Sequence, residues 1–277
     1  VNQLEYQPGT SGQAAILMDG PSAFVGTAEN LRSRKWDYEL GYRDLVNAVR
    51  PAREVSVSFA TDYDTANALR RVADADVIAG TPGTFVAQGE WRQRGYVLES
   101  NPDSIHFGYL STELTIALLD GAWWRLVSTY FKADTDDGTS AAYLDYPYDY
   151  EYDYAKRAAV SRVTPSVLTP SDVHLVVYGP AVNPYVIVGD NRYQVNVTVP
   201  AGGYLTVDGR EKSITLTLAD GTTQNAFSSG LRGSGEGGGQ YIFEPIGAGA
   251  QDVAWDGSFG FDLGWYEEEG EPPWSLS

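Results

Sequence analysis

The stretch Leu110-Ser111-Thr112-Glu113-Leu114-Thr115-Ile116-Ala117-Leu118 places Leu110, Thr112, Leu114, Ile116 and Leu118 at every second position and is ended by Asp120-Gly121. Successive side chains of an extended chain point to opposite faces, so this spacing predicts a strand with one apolar and one polar face. The same period runs outward in both directions. Upstream, Val55, Val57 and Phe59 alternate with Ser56 and Ser58, and Trp36, Tyr38, Leu40 and Tyr42 alternate with Asp37, Glu39 and Gly41. Downstream, Tyr193, Val195, Val197 and Val199 stand against Gln194, Asn196 and Thr198, and Ile214, Leu216 and Leu218 against Thr215 and Thr217. Each such run is expected to be half-buried in an antiparallel sheet. Asp208-Gly209 and Asp220-Gly221 supply turn residues with positive φ between the runs. One segment breaks the rhythm. Ala66, Leu69, Val72 and Ala73 fall at helical spacing behind a cap at Asp64 or Thr65, which predicts a helix through about Asp76 with Arg70 and Arg71 toward solvent. The chain therefore reads as mostly β with one helix in its first half.

Composition narrows the chemistry. The 277 residues suggest two domains at roughly 100–200 residues each, with one large domain as the alternative. Lys and Arg number 19 against 37 Asp and Glu, a net charge of −18, which argues against phosphate backbones and anionic membrane surfaces as ligands. Cys is absent, so disulfides, thiolate metal sites and cysteine nucleophiles are excluded together. The longest apolar run, Ala14 to Met18, is far short of a bilayer span, and Val1-Asn2-Gln3-Leu4-Glu5-Tyr6 lacks the features of a signal peptide. A soluble protein made in a cytoplasm, with no membrane insertion, is the expectation.

The domain boundary is expected at the oddest segment. Tyr146, Tyr148, Tyr150, Tyr152 and Tyr154 recur at every second residue, with Asp145, Asp149, Glu151, Asp153 and Pro147 around and between them. An extended chain would carry a tyrosine face and an acidic face there, and Pro147 favours an edge or a connector. The expected division is a first domain at residues 1–141, a Tyr/Asp-rich connector at 142–164 and a second domain at 165–277. Tyrosine suits both a protein contact and a platform for sugar rings. Packing onto a domain or subunit is the preferred reading, with sugar as the other.

Candidate catalytic and ligand sites fare poorly. Gly233, Gly235 and Gly238 match G-x-G-x-x-G, but the loop leads to Tyr241-Ile242-Phe243, read as a strand where a phosphate loop needs a helix, and Glu236 would repel phosphate. His106 and His174 fall in different domains, beside no motif of a triad or a zinc site. Carboxylate pairs of the kind glycosidases use are too common in so acidic a chain to mark a site. Asp134, Asp136 and Asp137 before Gly138 do not fit a calcium loop. Glu267, Glu268, Glu269 and Glu271 read as a solvated run. No catalytic, cofactor-binding or metal-binding residue is assigned, and the chain is not expected to be an enzyme.

Several stretches together resemble the distal tail proteins of long-tailed, siphovirus-type bacteriophages. They are Phe24-Val25-Gly26 with Leu31-Arg32-Ser33-Arg34-Lys35-Trp36-Asp37-Tyr38-Glu39-Leu40, then Trp91-Arg92-Gln93-Arg94-Gly95-Tyr96-Val97 and Leu118-Leu119-Asp120-Gly121-Ala122-Trp123. The connector Leu144-Asp145-Tyr146-Pro147-Tyr148-Asp149-Tyr150 follows, then Gly189-Asp190-Asn191-Arg192-Tyr193-Gln194-Val195-Asn196 and Tyr241-Ile242-Phe243-Glu244-Pro245-Ile246. The series closes on Trp255-Asp256-Gly257-Ser258-Phe259-Gly260-Phe261-Asp262-Leu263. The resemblance spans nearly the whole chain.

It implies an N-terminal split β-barrel of tail-tube type carrying one helix, and a C-terminal galectin-like β-sandwich. It also implies a structural virion protein of the tail tip or baseplate, assembled in the host cytoplasm. Six copies would form a ring joining the tail tube protein to the tail-tip hub or tail-associated protein, with the tape-measure protein a further candidate partner. DNA would pass through the lumen without specific binding, and acidic walls would repel its phosphates; residues 1–144 carry 12 basic and 19 acidic side chains. The alternative function is a carbohydrate-binding module for host-surface glycans. A galectin-like fold does not by itself bring sugar binding, and the Asn-Pro pairs Asn101-Pro102 and Asn183-Pro184 lack the neighbouring His and Arg of galactoside lectins.

Overall fold

A computed structural model describes residues 4–20, 23–25, 28–134, 161–165 and 169–272. The chain forms two compact units, Val1–Arg125 with Glu268–Ser277, and Leu126–Glu267. The sequence reading placed its bounds at 141 and 165 because composition marks loops. Here both divisions fall inside continuous strands, Trp123–Phe131 and Phe261–Glu269, where no composition change signals them. The tyrosine series Tyr146 to Tyr154 lies outside the described residues.

The first unit is built on one antiparallel path of strands: Ala23–Val25, Arg53–Asp62, Tyr109–Leu118, Trp91–His106, Gly83–Ala87, Leu4–Gln7 and Ile16–Leu17. It does not close: the end strands Ala23–Val25 and Ile16–Leu17 are not neighbours, so the described strands form an open sheet and no closed barrel. The opening alternation behaves as expected. Leu114, Ile116 and Leu118 are buried with Val57 and Phe59 of the paired strand, while Glu113, Ser56 and Ser58 face outward. Trp123, Tyr6, Phe85 and Met18 complete the centre of this core.

The long helix spans Tyr63–Ala79 and buries Leu69, Val72, Ala73 and Asp76. Its cap is Asp62, not Asp64 or Thr65; the Asp62 carboxylate accepts from the Thr65 N–H at 2.7 Å. At the other end Gly80 adopts φ 66°, the left-handed conformation glycine tolerates best, and its N–H is donated to the Asp76 and Val77 carbonyls. The described residues contain a second, five-residue helix, Ala28–Arg32, which the sequence reading did not anticipate because it is too short to show a period.

Asp76 is fully buried on the helix and accepts three hydrogen bonds from the N-terminal segment: Tyr6 O–H at 2.7 Å, Thr10 N–H at 2.8 Å and Gly9 N–H at 3.1 Å. The Tyr6 ring in turn stacks at a tilt on Phe85, 4.9 Å between centroids, and lies where a Cβ at Gly83 would meet it at 2.3–2.5 Å. One carboxylate thus ties helix, first strand and its neighbour together.

In the second unit, strands Thr223–Asn225, Ser213–Thr217, Tyr204–Asp208, Val173–Tyr178 and Phe261–Glu269 form one antiparallel succession. A second sheet orders Ser161–Val163, Gln251–Ala254, Tyr185–Val188 and Asn191–Gln194. Alternate residues of both, among them Leu175, Val177, Val186, Val188, Leu205 and Leu263, share one core.

Four local readings are corrected. Tyr193 to Val199 is not one strand: Asn191–Gln194 and Thr198–Val199 belong to different sheets, with the break where the Val197 N–H turns back to the Val195 carbonyl. Tyr241-Ile242-Phe243 forms a turn, with Ile242 and Phe243 in the core and the Ile242 N–H on the Leu231 carbonyl. Glu267 is buried, its carboxylate accepting from the Trp265 indole N–H at 3.3 Å, so the acidic run is not wholly solvated. Between Asp208 and Ser213 the positive φ belongs to Lys212, while Gly209 is needed because a Cβ would stand 2.8 Å from the Val173 carbonyl oxygen.

Burial alone would raise the Asp76 carboxyl, but donation from Tyr6, Thr10 and Gly9 outweighs it and holds the group below the ordinary carboxylate range. Such a group adds stability that is full above about pH 4, where the unfolded carboxyl is ionised, and lost as pH falls through the lower folded value. Asp76→Ala is expected to cost about 3 kcal/mol in urea unfolding at neutral pH, since buried donors lose their acceptor. The gap to the wild type should narrow below about pH 4. Equal stability of the two proteins at neutral pH would contradict this role.

Candidate functional surfaces

The outward face of three neighbouring strands forms a hydrophilic wall in the first unit. Strand pairing aligns Glu54 with Ala117, Ser56 with Thr115 and Glu99, Ser58 with Glu113 and Asn101, and Ala60 with Ser111 and Ser104. Asp103 sits at an irregularity in the same pairing. No Lys or Arg occupies these rows. The Thr115 hydroxyl donates to Glu99 at 3.2 Å, and Asn30 donates to the Ser56 carbonyl at 3.2 Å. A basin of about 470 Å³ opens here, lined by Ser, Thr, Asn, Asp and Glu together with Pro102. Small hydroxyls and carboxylates on a flat sheet provide no cationic group for a polyanion.

A hairpin of Asp37–Leu40 and Leu45–Val49 presents the opposite character. It forms its own two-stranded sheet, and every residue of Asp37–Leu40 is exposed, so the expected half-burial does not occur. Leu40 is 75% and Tyr42 93% exposed, and Tyr38, Leu45 and Val49 are more than half exposed. Its shape is set locally. Glu39 pairs with Val46 and Leu40 with Leu45, the Gly41 N–H is donated to the Asp44 carbonyl at 3.0 Å, and Asn47, at φ 52°, donates to the Glu39 carboxylate at 2.9 Å. Arg50 lies over the Trp36 ring at 4.6 Å. Among the described residues this ribbon pairs with no further strand, and such a ribbon with apolar side chains in water is a template for another chain.

A third surface joins Trp91–His106 to Tyr109–Leu118 through Phe107-Gly108. Gly108 takes φ 90°, His106 stacks on Tyr109 at 4.5 Å, and the Tyr63 hydroxyl donates to the His106 carbonyl at 2.5 Å. Phe107 is fully exposed. The sequence reading missed this tip, although a two-residue turn between two alternating runs was visible there.

His106 therefore braces a turn. His174 lies in the second unit, paired across strands with Asp208 and Gly264; burial pushes its imidazole below the ordinary value, against the pull of Asp208 and Asp262. Gly233 and Gly235 adopt positive φ in a loop followed by the Tyr241–Phe243 turn, and the Gly237 N–H is donated to the Glu244 carboxylate at 2.9 Å. Among the described residues no group of three or more His, Asp or Glu could hold a metal ion. Asp134 is described, whereas Asp136, Asp137 and Gly138 lie outside the described residues. No described helix is long and apolar enough to cross a membrane.

On the second unit, Tyr178 pairs with Tyr204 across strands, meets Tyr130 edge-on at 6.2 Å and donates its hydroxyl to Asp262 at 2.5 Å. That hydrogen bond, with partial burial, pushes the Tyr178 phenol up to about 12. This exposed tyrosine group was not singled out from the sequence, because its members come from three separate strands.

No protein-family model matches the chain, and no protein of curated function matches its sequence. Solved structures do match in fold over nearly the full length. A chain of the phage p2 baseplate in its activated conformation with strontium aligns at a TM-score of 0.62 and 10% identity, covering 98% of this chain and 100% of the other. The calcium form of that baseplate gives 0.62 and 11% over the same coverage. The Dit protein of phage SPP1, described as a paradigm of the hub adsorption apparatus in phages infecting Gram-positive bacteria, gives 0.54 and 12%, covering 96% of this chain and 99% of that one. The chain thus has the mostly-β fold of phage baseplate and Dit proteins.

Proposed function

We propose that this chain is a structural protein of a phage tail tip, a distal tail protein whose six copies form a ring between the tail tube and the tip hub. The carrying observation is the match in fold over 98% of this chain and 100% of a p2 baseplate chain. Coverage of that extent includes both units, whereas a shared first unit alone would match only part of each. In this reading the first unit forms the ring, the second is a galectin-like sandwich, and the protein is made in the host cytoplasm and ends in the virion. Partners are further copies of itself, the tube protein, the hub and the tape-measure protein. The function is geometric, and no catalytic role is proposed.

Two surfaces support it. The exposed hairpin Asp37–Val49 supplies apolar side chains of the kind obligate contacts bury, about 2,000 Å² or more in total per interface. The wall bearing Glu54, Glu99 and Glu113 suits a channel through which DNA passes without being held. A second reading, attachment to glycans, draws on Tyr130, Tyr178 and Tyr204 beside Asp262, since exposed aromatic rings with a neighbouring carboxylate can stack and hydrogen-bond a sugar. A glycan array with the full chain tests it: binding lost in Tyr178→Ala and Tyr204→Ala would favour this reading.

Mass photometry should find particles of six times the chain mass. Leu40→Asp combined with Tyr42→Asp should shift them to monomer while each substitution changes unfolding free energy by less than about 0.5 kcal/mol, because both side chains are exposed. Persistence of the hexamer in the double variant would remove the hairpin from the interface. In gel-shift assays the wild type should leave duplex DNA free. The triple variant Glu54→Lys, Glu99→Lys, Glu113→Lys should retain it at low salt and release it as salt rises. Retention by the wild type would contradict a non-adhesive channel wall.

A further inference from the structure

The first unit carries both a knob and a socket for it. The socket is a groove of about 220 Å³ between the helix Tyr63–Ala79 and the strands Trp91–His106 and Tyr109–Leu118. Ala66, Leu69, Ala73, Val97 and Leu114 line it with apolar surface, and Leu98, at a register irregularity between Val97 and Glu99, stands beside them 45% exposed. The rim carries charge, Arg70 with Asp74 and Glu99. The knob is Phe107, which has the highest exposure among the large apolar side chains described. Its position is braced from both sides by the His106–Tyr109 stack and by the Tyr63 hydroxyl on the His106 carbonyl. Tyr63 is also the first residue of the groove-forming helix, so knob and socket are held in a set relation within one copy.

We propose that Phe107 of one copy seats in the helix–strand groove of the next copy, and that this contact sets the direction of assembly. The inference rests on the ring reading above and deepens it. A phenyl ring fits the space, since apolar cavities of about 150 Å³ accept benzene. Phe107 is fully exposed, so it does not occupy the groove of its own chain. Asp103, exposed on the strand leading to the knob, offers an acidic partner to Arg70 at the rim. Knob and socket are different patches of one surface, which makes the contact heterologous: it repeats from copy to copy and closes into a ring when the rotation permits. A braced knob loses little freedom on docking, which favours the contact further.

The absence of cysteine makes the test direct. Full-length chain carrying Ile105→Cys beside the knob and Asp74→Cys at the groove rim, which leave Phe107 and the apolar lining in place, should react with a short bismaleimide to give a ladder of covalent species ending at six copies. Neither single variant should extend beyond a pair. Separately, Phe107→Ser should weaken self-association about tenfold or more with unchanged melting, and Phe107→Leu should restore most of it. Hexamers that persist in Phe107→Ser, with no ladder from the double-cysteine variant, would overturn the knob while leaving the ring intact. A wild type that stays monomeric at every concentration and gives no ladder would overturn both.

Discussion

The buried Asp76 carboxylate is the constraint on which the first unit turns. It sits on the helix with no exposed surface and accepts from Tyr6, Gly9 and Thr10. A buried carboxylate is tolerated only when its lone pairs are occupied, so the N-terminal segment must lie against the helix for the helix to pack at all. That position sets the strand Leu4–Gln7 beside Gly83–Ala87, and Gly83 must lack a side chain to leave room for the Tyr6 ring. With the helix so fixed, its apolar side both covers the core through Leu69 and Val72 and lines the groove through Ala66 and Ala73.

Most of the remaining surfaces share one property: they leave large apolar or aromatic side chains in water. The hairpin Asp37–Val49 buries little of its own apolar surface. Phe107 projects from a braced turn, and the tyrosines of the second unit stand on an outward face. The acidic wall is the exception, a surface suited to remaining wet. In the proposed ring the apolar features meet copies or partners and the wall faces the channel, which gives the net charge of −18 a use.

Strand content was legible because period two survives any partner. Leu110 to Leu118 and Val55 to Phe59 fold as their alternation indicates. What alternation cannot report is whether a second layer covers the apolar face, and so Trp36 to Tyr42 looked half-buried yet stands exposed. The helix was legible from Ala66 to Ala73, but its cap was misplaced: Asp62 and Asp64 are both good caps, and only the end of the preceding strand decides between them. Glu267 looked solvated among glutamates because its burial depends on Trp265 and the strand it shares. Knob and groove were not legible. The groove exists only after a helix is laid across two strands distant in sequence.

The central claim is that this chain encircles the DNA path at the end of a phage tail. Electron cryomicroscopy of intact particles carrying it tests that claim most directly. The account predicts sixfold density at the tail end that fits this chain, with Glu54, Glu99 and Glu113 turned to the channel. Absence of the chain from the tail end, or a channel lined by Arg and Lys with that acidic face turned to outside solvent, would contradict it.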